Sequence, residues 1–297
     1  MHRVSLVALT LLTLVISASA QFTFTSLDYP GGTLTTARGI NDHGQIVGAY
    51  RTVPPRHALL IENGQYIPLA PITDLGATYS EAFKINDRGD VVGVFLDVNG
   101  FSHGFLLRKG VLTTLDFPGA SGTLALGINA SGIVVGYWEL LDANGNLLAL
   151  HGYTWKDGSF TQFDLPGATD TSLFGINDRG DMVGGWDTGV TSPIEHGFIC
   201  SNKQCTTFDV PVAGATITQG DDINAHGDIA GGWVDAGGAL HGFLLADGNF
   251  TSLDFPGATN TIAFGINAAG QIVGRYNSAD GSNHGFLAQP ENIGKPQ

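Results

Sequence analysis

The sequence predicts an all-β fold, a six-bladed β-propeller of four-stranded blades, and three observations lead to it. A unit of about 45 residues recurs along the chain. "FTSLDFPGATNTIAFGINAAGQIVGRY" at 250–276 repeats "FTQFDLPGATDTSLFGINDRGDMVGGW" at 160–186 and "LTTLDFPGASGTLALGINASGIVVGYW" at 112–138. Repeats of roughly 40–50 residues mark propellers and stacked arrays, because one such unit cannot bury its own apolar face. The composition suits short strands and tight turns, with 43 Gly and 12 Pro among 297 residues, 43% hydrophobic and only 13% charged. That is too apolar for a disordered chain and too rich in glycine for a helical one. Finally, one unit is split between the two ends of the chain, which a ring can use and a linear array cannot.

Each unit reads as four strands. In the last, "TIAFGIN" is the first strand, "QIVGRY" the second and "HGFLA" the third, while "FTSLD" before it closes the preceding blade. The runs are short, rich in Val, Ile, Phe, Thr and Tyr, and bounded by Gly, Asn, Asp and Pro, as strands are. No stretch after the first 20 residues keeps a helical period. The first-strand Asn falls at Asn41, Asn86, Asn129, Asn177, Asn224 and Asn267, spaced 45, 43, 48, 47 and 43 residues apart. The third strand starts at His57, His103, His151, His196, His241 and His284. The fourth ends on Asp in Asp28, Asp116, Asp164, Asp209 and Asp254, with "YIPLAPITDL" at 66–75 a degraded copy. Residues 22–28 are then an orphan fourth strand and His284–Ala288 a third strand without a fourth. Pairing the two closes the ring and removes its exposed edges.

Residues that recur in every blade are read as architecture. Asn, Asp and a fixed Gly between first and second strands are hairpin chemistry. Two of these turns spell Arg-Gly-Asp, at 88–90 and 179–181, and are read as turns rather than integrin ligands. They lack the distal bidentate Glu of an EF-hand-type calcium loop. Six ring-related His stand too far apart to share a metal, so each is expected to bond within its own blade. The aromatics Tyr50, Phe95, Trp138, Trp186, Trp233 and Tyr276 are expected to pack blade against blade. No metal and no cofactor is predicted.

The "GIN-x-x-G-x-IVG" element followed by "HGFLL" resembles the extracellular HAF repeat, a unit of secreted bacterial proteins, across all six copies. The chain writes His-Gly-Phe where the family has His-Ala-Phe; only His57-Ala58-Leu59 keeps the Ala. The resemblance implies secretion and a repeat fold and carries no catalytic residue with it. Family members often end in a sorting segment that "QPENIGKPQ" does not resemble, which implies release.

Residues 1–20, "MHRVSLVALTLLTLVISASA", read as a secretory signal peptide with a basic start, an apolar run and a small-residue end. The propeller is assigned to 21–289 and a flexible tail to 290–297. The formal net charge is −14, and loss of Arg3 with the leader makes it one unit more negative. Such a surface repels nucleic acid and anionic membranes. The protein is therefore read as secreted, extracellular or periplasmic, monomeric, and free of membrane after cleavage.

Function is sought where blades differ, since identical positions only build the ring. The face carrying the second-to-third loops is elaborated by "ELLDANGNLLAL" at 139–150, "DTGVTSPIE" at 187–195, "RTVPPR" at 51–56 and "VAGATITQGD" at 212–221. The first strand, placed innermost, is interrupted by five charges: Arg38, Glu81, Lys84, Asp221 and Asp222. Lys84 and Asp222 replace a Gly that four blades keep. These residues line a polar channel or form a ligand cluster at its mouth. The reading drawn is a secreted, non-catalytic binding or scaffolding propeller for a glycan or protein. The alternative is a polysaccharide hydrolase or lyase using Glu81, Asp221 or Asp222, because paired carboxylates are the minimum for glycoside chemistry. The only two cysteines, Cys200 and Cys205, flank the turn from third to fourth strand and are expected to form a disulfide.

Overall fold

The hairpin turns marked by Asn and Gly are where the chain reverses. In the first, Gly44 at φ +75° donates its N–H to Asn41 O, and Asn41 N donates to Gln45 O. The Asn41 side-chain oxygen accepts the N–H groups of His43 and Gln45, which fixes the turn. The same arrangement recurs at Asn86, Asn177, Asn224 and Asn267, and at Asn129 the Ser131 hydroxyl donates in place of the first N–H.

The computed structural model describes residues 22–73, 76–189 and 195–291. The expected leader and most of the expected tail lie outside them. The chain forms a β-propeller of four-stranded antiparallel blades. The innermost strands are Leu34–Ile40, Tyr79–Ile85, Gly122–Ile128, Asp170–Ile176, Ile217–Ile223 and Asn260–Ile266. Repeats two to five each form a separate four-stranded sheet. The first and last share an eight-stranded sheet through one parallel pairing, Leu34 opposite Asn283. The N-terminal strand Phe22–Leu27 pairs antiparallel with Asn283–Pro290, from Phe22 opposite Pro290 to Leu27 opposite Gly285. The split unit is thereby completed.

Two sequence features explain how the blades stack. The glycine of the second strand lies against the first: a Cβ at Gly136 would stand 1.9 Å from Leu124 O. The third-strand aromatic fills the space between blades, and Phe105, Tyr153, Phe198, Phe243 and Phe286 are all fully buried. Burying each such ring contributes roughly 1.5–3 kcal/mol. The apolar clusters join neighbours; Val92, Leu106 and Leu115 of repeat two pack with Ala125, Val134 and Tyr153 of repeat three.

The repeated polar residues are architectural. Each first-strand Asn donates its Nδ2 to the backbone carbonyl of the Asn in the next repeat, at 3.0–3.2 Å, and Asn267 donates to Asn41. The cycle thus returns to its start. Nδ1 of His103, His151, His196, His241 and His284 bonds Asp116, Asp164, Asp209, Asp254 and Asp28 at 2.7–3.1 Å, within each blade. A carboxylate only accepts, so Nδ1 carries the hydrogen. The second-strand aromatics stack on these His and on the aromatic of the preceding connection, as in Phe117 on Trp138 and Phe255 on Tyr276. In both Arg-Gly-Asp turns the carboxylate is buried and bonded to its turn Asn. Cys200 and Cys205 stand opposite one another in a strand pair and are joined as a disulfide.

One element departs from expectation. In the degraded copy at 66–75 the strand Gln65–Pro68 leads into a single α-helical turn, Ala70–Thr73, while Asp74 and Leu75 lie outside the described residues. Pro71 falls in the first turn, where its missing N–H costs nothing. Ile72 is driven fully into the core beside Leu69.

Candidate binding site on the propeller axis

Every innermost strand carries a β-bulge after its fourth residue. A bulge adds a residue without a partner and re-aims its side chain. The six bulged residues are Arg38, Phe83, Leu126, Phe174, Asp221 and Phe264. All six line one cavity of about 320 Å³, joined by Leu124, Tyr137, Gln219, Ile262 and Lys84. The sequence alone gave no sign of the bulge.

Of the five charges predicted from the inner strands, Arg38, Lys84 and Asp221 line this cavity, and Glu81 and Asp222 are the partners of Arg38 and Lys84. Lys84 Nζ meets Asp222 Oδ2 at 2.7 Å, bridging repeats two and five across the axis. Lys84 also donates to Phe264 O at 2.8 Å, and Asp222 accepts Ile266 N at 2.9 Å. Burial lowers the Lys84 ammonium's pKa despite its partner. This pair forms the floor of the cavity and separates it from a smaller vestibule of about 90 Å³ on the turn side, ringed by the six Asn. Lys84 and Asp222 are thus tied to each other and to backbone.

Glu81 is held by four donors. Its Oε1 accepts Thr36 Oγ1 at 2.9 Å and Arg38 Nε at 2.7 Å. Its Oε2 accepts Arg56 Nη1 at 3.0 Å and a short bond from the Tyr79 hydroxyl. Burial alone would raise this carboxyl, but Arg38 and Arg56 pull it down to about 2. Arg38 in turn lies over the Phe264 ring, 3.9 Å from its centroid, which fixes the guanidinium in the cavity wall.

Asp221 is the opposite case. Its Oδ2 is shielded from solvent and has no hydrogen-bond partner among the described residues. Burial pushes its carboxyl up to about 8, against the pull of Arg38 and Lys84. A shielded polar atom without a partner costs about 1–3 kcal/mol.

Sequence reasoning missed several groups, of which Tyr137 lines the cavity and the others bond or neighbour residues tied to it. Arg56 and Glu195 occupy matching positions, each just before a third-strand His. Arg56 bonds Glu81, while Glu195 Oε2 accepts Gln219 Nε2 at 2.7 Å. Burial raises Glu195 to about 7. Both lie in insertions that the sequence does single out, 51–56 and 187–195. Tyr137 and Arg275 share one register position on the second strand, where other repeats have Ala49, Val94, Gly185 and Gly232. The detectable signal was that column of mostly small residues, broken twice.

No protein-family model matches this sequence, and no curated protein matches it. The fold is similar to that of several solved structures. One is the six-bladed, fucose-recognising lectin of Aleuria aurantia, with a TM-score of 0.51 at 11% identity, covering 92% of this chain and 99% of that one. AofleA from Arthrobotrys oligospora gives 0.51 at 13% identity, covering 93% and 91%. TolB from Acinetobacter baumannii gives 0.52 at 12% identity, with 83% of this chain spanning 64% of that one. At these identities the likeness is one of fold.

Proposed function

We propose that this chain is a secreted, non-catalytic binding protein, a six-bladed propeller whose axial cavity holds a small extracellular ligand. The observation that carries the reading is the convergence of all six bulged side chains on one cavity containing a buried, unpartnered carboxyl oxygen. Ligand pockets combine apolar walls with a few placed polar groups, and here Phe83, Phe174 and Phe264 supply the walls.

Six blades follow from reading the eight-stranded sheet as two. The parallel contact that joins its halves, Leu34 with Asn283, has a counterpart in Glu195 with Ile217, between sheets that stay separate. The Asn cycle also has six members, and the Aleuria aurantia lectin is described as six-bladed. The repeats are assigned to the HAF type on the motifs quoted above. Secretion is supported by the disulfide, which forms and persists in oxidising compartments. The ring is read as a monomer because its own N-terminal strand completes it.

Catalysis is the weaker reading on chemical grounds. Glycoside hydrolysis needs one protonated and one ionised carboxyl flanking the bond. Asp221 and Glu195 are both raised by burial, and ionised Glu81 has its two oxygens taken by four donors. Sugar ligands enter the test because two of the similar structures are fucose-recognising or complexed with Fucα1-6GlcNAc.

The test screens the secreted protein by thermal shift and calorimetry against glycans and small metabolites, alongside a hydrolase and lyase panel. A ligand should appear whose binding is lost in Leu126→Trp, which fills the cavity from a bulge position. Turnover of a polysaccharide abolished by Asp221→Asn, or binding unchanged in Leu126→Trp, would overturn this reading.

A further inference from the structure

We propose that the axial cavity is built for a zwitterion, a small molecule with an ammonium and a carboxylate a few bonds apart, of the free α-amino acid class. This rests on the cavity being the binding site and names its ligand. Charge is unevenly distributed around the ring. Repeats six and one contribute Arg275, Arg38 and Arg56. Repeats three, four and five contribute Glu139, Glu195 and Asp221.

On the basic side Glu81 bonds Arg38 and Arg56, one carboxylate for two guanidiniums. Arg275 makes no ion pair among the described residues. It pairs with Ile262, which lines the cavity, at the register position that Tyr137 holds opposite Leu124 in repeat three, and burial lowers its pKa. On the acidic side none of the three carboxyls has a cationic partner among the described residues, since Lys84 is paired with Asp222. Glu195 accepts only the Gln219 amide there, and Asp221 Oδ2 accepts nothing.

Arg38 and Asp221 line the cavity of about 320 Å³. Arg275 stands on the strand next to the lining residue Ile262, and Glu195 bonds the lining residue Gln219. An unpaired guanidinium and an unpartnered carboxyl oxygen thus border the same space. A guanidinium offers a planar, two-pronged donor that suits a carboxylate. Asp221 is held protonated by burial in the ligand-free protein, and an ammonium placed beside it favours the ionised form, which gives up its proton and accepts from the ammonium. A ligand carrying both groups satisfies both walls at once, whereas a neutral sugar leaves the Arg275 charge uncompensated. The three Phe rings, with Leu124 and Ile262, give an apolar side chain a place to lie.

Calorimetry of the secreted protein with each of the common L-amino acids tests this, each compared with its N-acetyl and its carboxamide form. At least one free amino acid should bind, and loss of either charge should weaken it about tenfold or more, the scale of one charge-assisted hydrogen bond. Arg275→Gln should weaken the free amino acid by a similar factor while leaving the carboxamide's weaker binding unchanged. Equal binding of the capped forms would overturn the zwitterion, as would binding of L-fucose alone in a manner blocked by Leu126→Trp; that second result would leave the cavity as the site. Amino-acid binding unaffected by Leu126→Trp would instead remove the cavity from the account. Binding of none of these probes would overturn the inference outright.

Discussion

Lys84 and Asp222 stand where the other repeats have Gly39, Gly127, Gly175 and Gly265. The axis is tight at this level: a Cβ at Gly39 would come 2.7 Å from Phe83 O, and one at Gly265 2.8 Å from Arg38 O. Two charged side chains persist there because each neutralises the other and finds a backbone partner. Removing one partner of a buried pair leaves a lone desolvated charge, whereas replacing both by apolar groups is often neutral. Lys84→Met should therefore cost about 3–5 kcal/mol in urea unfolding, and Lys84→Met with Asp222→Leu should recover most of it. A double variant as unstable as the single one would mean that the hydrogen bonds to Phe264 O and Ile266 N, rather than the charges, hold the floor together. At this scale the sequence was informative for a simple reason. With six copies of one pattern, a Lys or Asp in a glycine column is visible without any structure. Arg275 and Tyr137 break a column of Ala, Val and Gly in the same way, but the second strand was not read as facing the axis.

Strands and turns were legible because their chemistry is local. Asn at the first turn position, Gly at positive φ and β-branched residues between them specify a hairpin before any tertiary contact forms. The helical turn Ala70–Thr73 was not legible, since four residues carry no period and Pro71 reads as a breaker unless its place in the first turn is known. The bulges were hidden for another reason: an extra residue in an apolar strand leaves the composition unchanged and shifts only the register. The closing strand was inferred correctly because its partner lies at the far end of the same repeat pattern. Phe22 is buried in the cluster formed with Ile272, Phe286 and Ala288, against which Phe24 packs, and Asp28 holds His284. Deleting residues 21–28 should remove that packing, roughly 1.5–3 kcal/mol for each ring, and bare the edge of Asn283–Pro290. The expected result is a lower melting temperature or concentration-dependent association on a sizing column. A deletion variant that stays monomeric and melts with the parent would show that the ring holds without its closing strand.

For the whole molecule, one ring of carboxyls titrates in opposing directions, and this sets how stability varies with pH. Glu81 is held down to about 2, so its contribution is present above the ordinary Glu value near 4.5 and is lost as pH falls toward 2. Asp221 and Glu195 behave inversely, raised by burial to about 8 and about 7 from 3.8 and 4.5. Between those limits the folded protein holds protons that the unfolded chain has released, so stability falls as pH rises from about 4 to 8. The ligand-free protein should then be most stable in mildly acidic solution and should melt lower at pH 9 than at pH 5, by roughly 5 °C. Asp221→Asn with Glu195→Gln should remove much of that slope, because neither side chain can ionise, while any slope that remains belongs to other groups. Calorimetry showing the same pH 5 to 9 decline in parent and double variant would mean that the two carboxyls are hydrated in the folded state and pay no desolvation penalty. That outcome would also weaken the case that Asp221 awaits a partner. If the decline disappears in the variant, the protein keeps an axial acid at a standing cost to its own stability, which is expected of a group retained for a ligand rather than for the fold.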